Sequence, residues 1–287
     1  MKLLAIINPN SGTKKSKEQI LKALNVFSKN KYIVEVYLTQ AQNDAFNYLK
    51  NNKTKYDVVC VFGGDGTMNE VVNALAEKKE KPAIGYFPSG TVNDFGSNFN
   101  LDEDWEANAE RICKGKYKEF DLGKIDNKYF DYVAAFGAMC DVPYTTKRKM
   151  KEAVGTLAYV LEGITKLPDI HPIDVKVKVN GKQYEYHALF GLVFSGGRVA
   201  STQLVSKNKS SVNDGNFNVM IVDYVGSVVP DIIAVLAEQK KHIHWFKSSE
   251  IEFEFSEKTV WTIDGEKADF DKKVKITNIN KALRMLS

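Results

Sequence analysis

The chain has 287 residues, of which 44% are hydrophobic and 26% charged, with a formal net charge of +4. Such a length suits one large domain or two modest ones, and either can bury a real core. The charge is too mild to point to nucleic acid, although it is compatible with an anionic membrane surface or a phosphorylated substrate, and no run reaches the ~18 apolar residues of a membrane-crossing helix.

The chain opens on an apolar run, Leu3 to Ile7, that ends in Asn8-Pro9 without a small-residue cleavage site. It reads as a buried strand rather than a signal peptide. Residues 16–29 carry Ile20, Leu21, Leu24 and Phe27 at helical spacing, residues 32–38 are β-rich, and residues 41–51 are helical in pattern. Val58 to Phe62 is a continuous apolar strand, and the helix after it repeats Met68, Val71, Val72 and Leu75. Residues 83–87 form another strand and residues 102–114 another helix. This alternation predicts a mainly parallel, doubly wound α/β sheet with helices on both faces. Cys60, Cys113 and Cys140 are far apart, without a C-x-x-C spacing, which points to a reducing, cytoplasmic setting and no disulfide framework.

From about residue 120 strand follows strand. Asp126-Asn127-Lys128 separates two β-like runs, and Val175, Val177 and Val179 alternate with lysines before Asn180-Gly181, a strong hairpin signal. Residues 184–194, 217–224, 250–256 and 259–264 continue the theme, with Ile251, Phe253 and Phe255 alternating with glutamates. Helical patterns interrupt at 149–166 and 227–240. The expectation is an α/β domain over 1–120, with segment 280–287 a candidate to complete it. A second domain, an antiparallel β-sandwich, is expected over 121–279, with a ligand in the cleft between them.

Three polar, glycine-bearing segments lie at the carboxyl ends of predicted strands: Asn8 to Gly12, Gly63-Gly64-Asp65-Gly66-Thr67, and Pro88 to Phe95. Open α/β sheets bind ligands at that edge. Glycines let the backbone approach a phosphate, and the N–H groups of a following helix point at the anion. Each segment alone could be a tight turn, since these are turn residues. Neither G-x-x-x-x-G-K-[ST] nor G-x-G-x-x-G is present, so a P-loop and a dinucleotide fingerprint are unsupported.

Taken together, N-P-N-S-G, G-G-D-G-T-M-N-E-V-V-N-A-L and P-S-G-T-V-N-D-F resemble the diacylglycerol kinase catalytic-domain family, which includes bacterial diacylglycerol kinases, their lipid-kinase relatives and sphingosine kinases. The likeness covers nearly the whole chain in order and spacing. It implies an N-terminal, NAD kinase-like nucleotide domain, a C-terminal β-sandwich, and ATP in the cleft. By resemblance the nucleotide contacts are Asn8, Pro9, Asn10, Ser11 and Gly12, then Thr39, then Gly63, Gly64, Asp65, Gly66, Thr67, Met68, Asn69 and Glu70, then Ser89, Gly90 and Thr91.

Thr262-Ile263-Asp264-Gly265-Glu266 resembles the family's D-G-E segment, whose glutamate is the proton acceptor, so the resemblance implies that role for Glu266 with Asp264 beside it. A lipid hydroxyl has a pKa far above 7, and a carboxylate can take its proton as the bond to phosphorus forms. Asp65 is the rival base, as related NAD kinases suggest. Phosphoryl transfer otherwise rests on positioning and charge neutralisation, which implies Mg2+ with ATP. Without the resemblance, Asp264-Gly265 is simply a hairpin turn, here expected between strands 259–263 and 274–279.

Ser211, Asp214 and Asn216 match a loop that holds a structural Mg2+ in some members, but Asn213 and Asn218 leave Asp214 as its only carboxylate. Two basic stretches, residues 147–151 and 240–247, are candidates for peripheral contact with an anionic membrane, although such runs are more often solvated faces. His242 and His244 lack a third metal ligand nearby. An edge strand of the second domain is a candidate for pairing two subunits.

The combined expectation is an ATP- and Mg2+-dependent lipid kinase acting on diacylglycerol or a similar lipid. Two alternatives remain: a soluble NAD kinase-like small-molecule kinase, which P-S-G-T-V-N-D-F and N-E-V-V-N-A-L speak against, and a catalytically silent nucleotide- or lipid-binding regulator, which intact Asp65, Asp264 and Glu266 speak against.

Overall fold

The structure, a computed structural model, describes residues 1–90, 93–99, 101, 104–140, 171–199, 202–206, 209–224, 226 and 242–286. The helical patterns at 149–166 and 227–240 lie outside the described residues. The chain divides into two compact units, Met1–Asp121 with Lys281–Ser287, and Leu122–Asn280.

In the first unit the strands β1 (Lys2–Ile7), β2 (Ile33–Leu38), β3 (Val58–Gly63) and β4 (Ala83–Pro88) lie parallel in the order β4-β3-β1-β2. The helices α1 (Lys14–Lys29), α2 (Asp44–Asn51), α3 (Asp65–Ala76) and α4 (Trp105–Cys113) connect and cover them. Successive strand residues face opposite sides. Leu3, Ala5 and Ile7 meet Ala23 and Phe27 of α1 and Trp105 and Ile112 of α4. Leu4, Ile6, Val59 and Val61 point the other way and are equally buried, while α2 packs against α3. Burial on both faces is why these strands read as unbroken apolar runs. The α1 helix starts two residues before the expected position because Thr13 caps it, exchanging hydrogen bonds with Ser16.

The strand β5 (Tyr117–Ile125) leads into the second unit, whose described strands β6 to β9 and β12 to β16 pair antiparallel. Its further strands are β6 (Lys128–Phe130), β7 (Val133–Gly137), β8 (Ile173–Val179), β9 (Lys182–Phe194), the short pair β10 (Arg198–Val199) and β11 (Thr202–Gln203), β12 (Phe217–Asp223), β13 (Ile243–Ser248), β14 (Glu250–Phe255), β15 (Thr259–Ile263), β16 (Glu266–Phe270) and β17 (Lys273–Leu286). Asn180 and Gly181 both have positive φ, 51° and 74°, and close the tight β8–β9 hairpin. Phe136, Val193 and Val219 face one apolar cluster centred on Trp261, whereas their strand neighbours Ala135, Leu192 and Met220 face another. The last residues of β17 belong to the first unit, where Met285 pairs in parallel with Ile84 of β4.

One expectation is corrected. The Asp264-Gly265 turn joins β15 to β16, with Ile263 opposite Glu266, and residues 274–279 belong to β17, whose first part pairs with β14. Phe270 supplies the apolar residue that closes β16 onto Trp261, an alternation too short to stand out in sequence.

Candidate active site

In the first unit Ile7 is level with Leu38 and Phe62, and Gly63 with Pro88, so the loops after all four parallel strands emerge at one sheet edge. The first loop is knitted by its own polar groups. Asn8 Oδ1 accepts the N–H of Asn10 at 2.9 Å, and Ser11 Oγ donates to the carbonyl of Asn8 at 3.0 Å. Asn8 Nδ2 then donates to Thr67 Oγ1 at 3.1 Å, and the Ser11 and Ser89 hydroxyls share a hydrogen bond at 2.8 Å. Three segments far apart in sequence are thereby tied together. Gly12 turns the chain at φ +80°, and a Cβ there would run into the Ser16 hydroxyl.

The second and third loops meet backbone to backbone. A Cβ on Gly64 would lie 3.1 Å from Gly90 Cα, and one on Gly90 would lie 2.8 Å from Gly64 Cα. By contrast, a Cβ on Gly66 would have nothing within 4 Å. Helix α3 starts here with Gly64 as its N-cap and no side-chain cap, so its first turn presents N–H groups and the positive end of the helix dipole. Asp65, in that first turn, accepts the N–H of Asp94 on Oδ2 at 3.2 Å.

Not every expected contact is open at this edge. Thr39 is buried, its N–H bonded to the Ile7 carbonyl at 2.9 Å, and Met68 is fully buried in the core. Glu70 directs its carboxylate to the start of α2, accepting from Asn43 N–H at 2.8 Å and Ala45 N–H at 3.0 Å. Asn69 takes the Asn73 amide on its Oδ1 at 3.1 Å. Pro9 and Asn10 stand at the rim, and Lys14 and Lys17 are exposed beside the first loop. Thr91 lies outside the described residues. Sequence reasoning gave Asn93 no role of its own. Its side chain accepts from Gly90 N–H at 2.8 Å and donates to the Gly90 carbonyl at 2.9 Å, closing the third loop into a ring. In the structure it takes a positive φ, +53°, which Asn tolerates better than most residues.

In the second unit Asp264 and Gly265 adopt positive φ, 47° and 90°. The Asp264 carboxylate accepts three backbone N–H groups, from Asp131 (3.0 Å), Tyr132 (3.2 Å) and Val133 (2.8 Å). Its own N–H donates to the Val133 carbonyl at 2.8 Å. Asp264 is thus an anchor for the turn, and Glu266, the first residue of β16, is exposed beside it.

In the loop that resembles a Mg2+ site, the donors are engaged with one another and with a lysine. Asp214 Oδ1 accepts Asn216 N–H at 3.0 Å and Oδ2 accepts Ser211 N–H at 3.1 Å, while Ser211 Oγ donates to Asn213. The Lys247 ammonium sits 2.9 Å from Asp214 Oδ2 and donates to the Lys209 carbonyl at 2.8 Å. A positive charge of the chain's own meets the loop's only carboxylate. Among the described residues no group of three or more His, Cys, Asp or Glu is arranged to hold a metal ion.

Residues 244, 246 and 247 of the second basic stretch are engaged. His244 Nε2 is 2.7 Å from Asp223 Oδ2, Phe246 packs on Tyr184, and Lys247 is paired as above. Trp245 remains 41% exposed. Lys240, Lys241 and residues 147–151 lie outside the described residues.

Comparison with known proteins agrees with this geometry. Residues 2–125 match the family described as "Diacylglycerol kinase catalytic domain". Proteins named diacylglycerol kinase from Staphylococcus aureus strains bovine RF122 / ET3-1 and MRSA252 are each 34% identical over 239 residues, which is 83% of this chain and 75% of theirs. Two solved structures from Bacillus anthracis str. Sterne share the fold. One has a TM-score of 0.84 at 24% identity, covering 99% of this chain and 94% of its own. The other, named a diacylglycerol kinase, has a TM-score of 0.79 at 22% identity, covering 99% and 96%.

Proposed function

The chain belongs to the diacylglycerol kinase family and is a lipid kinase, and from that premise we propose that it transfers the γ-phosphoryl group of ATP, with Mg2+, to the hydroxyl of diacylglycerol or a similar lipid, yielding phosphatidic acid or a related lipid phosphate. The observation that carries the ATP half of this reading is the contact of Gly64 with Gly90 beside the open space at Gly66 and the uncapped start of α3. A surface without Cβ atoms, at a helix N-terminus, suits a chain of phosphates. Asn8, Ser11 and Ser89 hold the neighbouring loops in register, and Asn93 keeps the Gly90 loop closed.

Mg2+ bound with the nucleotide supplies charge neutralisation on the phosphate oxygens. Asp65, in the first turn of α3, is the carboxylate assigned to that end of the reaction. Glu266 is assigned as the base: as the lipid oxygen bonds to phosphorus and the bond to ADP breaks, the hydroxyl proton passes to its carboxylate. Asp264 is a positioning residue, because its three N–H bonds hold the turn that presents Glu266. The acceptor is a lipid, so the enzyme works in peripheral contact with a membrane surface, and the free thiols Cys60, Cys113 and Cys140 fit a cytoplasmic setting.

The test is transfer of radiolabelled γ-phosphate from ATP to a lipid panel in mixed micelles, with NAD as a parallel acceptor. Label on diacylglycerol is the expected result. Label on NAD alone, or on no acceptor, would overturn the reading.

A further inference from the structure

At the edge of the first unit's sheet opposite the glycine loops lies a cavity of about 530 Å³, within the size range of small-ligand sites. It is framed by the segments that enter β3 and β4, by the end of α3, and by Arg284 of β17, on a floor that includes Leu49, Val59 and Leu75. Six of its lining residues are Lys or Arg and two are Asp or Glu, an excess equal to the net charge of +4 carried by the whole chain.

The two carboxylates are engaged away from most of that charge. Asp57 Oδ2 accepts the Lys2 N–H at 2.6 Å, and Glu80 pairs with Lys55 at 2.7 Å. Among the described residues Lys81 and Arg284 have neutral partners: Lys81 Nζ donates to the Ala282 carbonyl at 3.2 Å, and Arg284 Nη2 donates to the Lys81 carbonyl at 2.9 Å while its guanidinium lies over the Tyr117 ring. Lys78 is half-buried and has no carboxylate partner among the described residues. Burial pushes the Lys78 and Lys81 ammonium groups below the ordinary lysine range, the mark of charge desolvated without compensation. Lysines after a helix C-terminus offset its dipole. That accounts for Lys78 and Lys79, which follow α3, and for Lys53, which follows α2, but not for Arg284, which reaches the same cavity from β17.

We propose that this cavity is an anion site, separate from the glycine loops, that takes a phosphate-bearing ligand, either a small soluble phosphate or a phosphomonoester lipid headgroup. The half-buried Lys78 and Lys81, with the exposed Lys53, Lys79 and Arg284 around the same cavity, match a multiply charged phosphate. The site is independent of the reading of the opposite edge: β3 is six residues long, which separates the two by about 20 Å at ~3.3 Å per residue.

The experiment uses the full chain at physiological salt, where diffuse attraction is screened beyond about 8 Å. Binding of inorganic pyrophosphate is measured by calorimetry, and binding of phosphatidylcholine vesicles with and without phosphatidic acid by sedimentation, for the wild type and the double variant Lys53→Gln/Lys78→Gln. The variant is expected to lose at least tenfold in affinity for one probe with an unchanged melting midpoint. Loss confined to pyrophosphate identifies a soluble ligand, and loss confined to phosphatidic acid vesicles identifies a headgroup. Equal binding by variant and wild type, or no binding of either probe by the wild type, overturns the site.

Discussion

Two carboxylates two residues apart have different work in this molecule. Asp264 accepts three backbone N–H groups, while Glu266 stands exposed at the head of a strand. Removing the first should therefore act on stability and on activity, the second on activity alone. Asp264→Ala is expected to cost roughly 2 kcal/mol in urea unfolding, because amides lose a charged acceptor. Glu266→Gln should unfold like the wild type and retain ATP affinity, yet lose on the order of 10²-fold or more in turnover. A Glu266→Gln change confined to ATP binding would remove it as the base. From sequence, D-G-E was legible as a turn, but nothing local in it says that Asp264 reaches residues more than 130 positions away.

Among the elements, α3 is the one whose start and end both matter. Gly63 and Gly64 are constrained by Thr67 and Gly90, whereas Gly66 borders open space. Gly66→Ala is accordingly expected to leave the melting midpoint unchanged or slightly raised, while ATP affinity falls by roughly tenfold, about 1.4 kcal/mol. Unchanged ATP affinity would mean that phosphates do not approach this turn. The strand–helix alternation around it was legible because β1, β3 and β4 are buried on both faces, which makes their apolar runs continuous, whereas the edge strand β2 is largely exposed. The role of Glu70 was not: a residue inside G-G-D-G-T-M-N-E turns out to cap α2, through amides 25 and 27 residues away.

For the whole molecule, the loop around Asp214 bears on metal dependence. With the Lys247 ammonium on Asp214, added chelator is expected to leave the melting midpoint of the full chain unchanged, and Lys247→Met should cost about 1 kcal/mol or less because the pair is partly exposed. A fall in midpoint on chelation would show a divalent ion in the loop. The distribution of positive charge has the same character. A net charge of +4 looks unremarkable along the chain, yet the fold gathers an excess of that size into one cavity of the first unit.

What the sequence determined by itself was whatever depends on near neighbours. Hydrophobic period, turn residues and glycine spacing, with the resemblance they carry, identified the α/β first part, the antiparallel second part and the lipid-kinase family. What only the tertiary structure decided were contacts across long sequence separations: Ser11 with Ser89, Gly64 with Gly90, Asp264 with the 131–133 backbone, and Lys247 with Asp214. Side-chain period reports which face a residue occupies, but the partner it meets there is set by strand order and register, and those follow from burying the sheet as a whole.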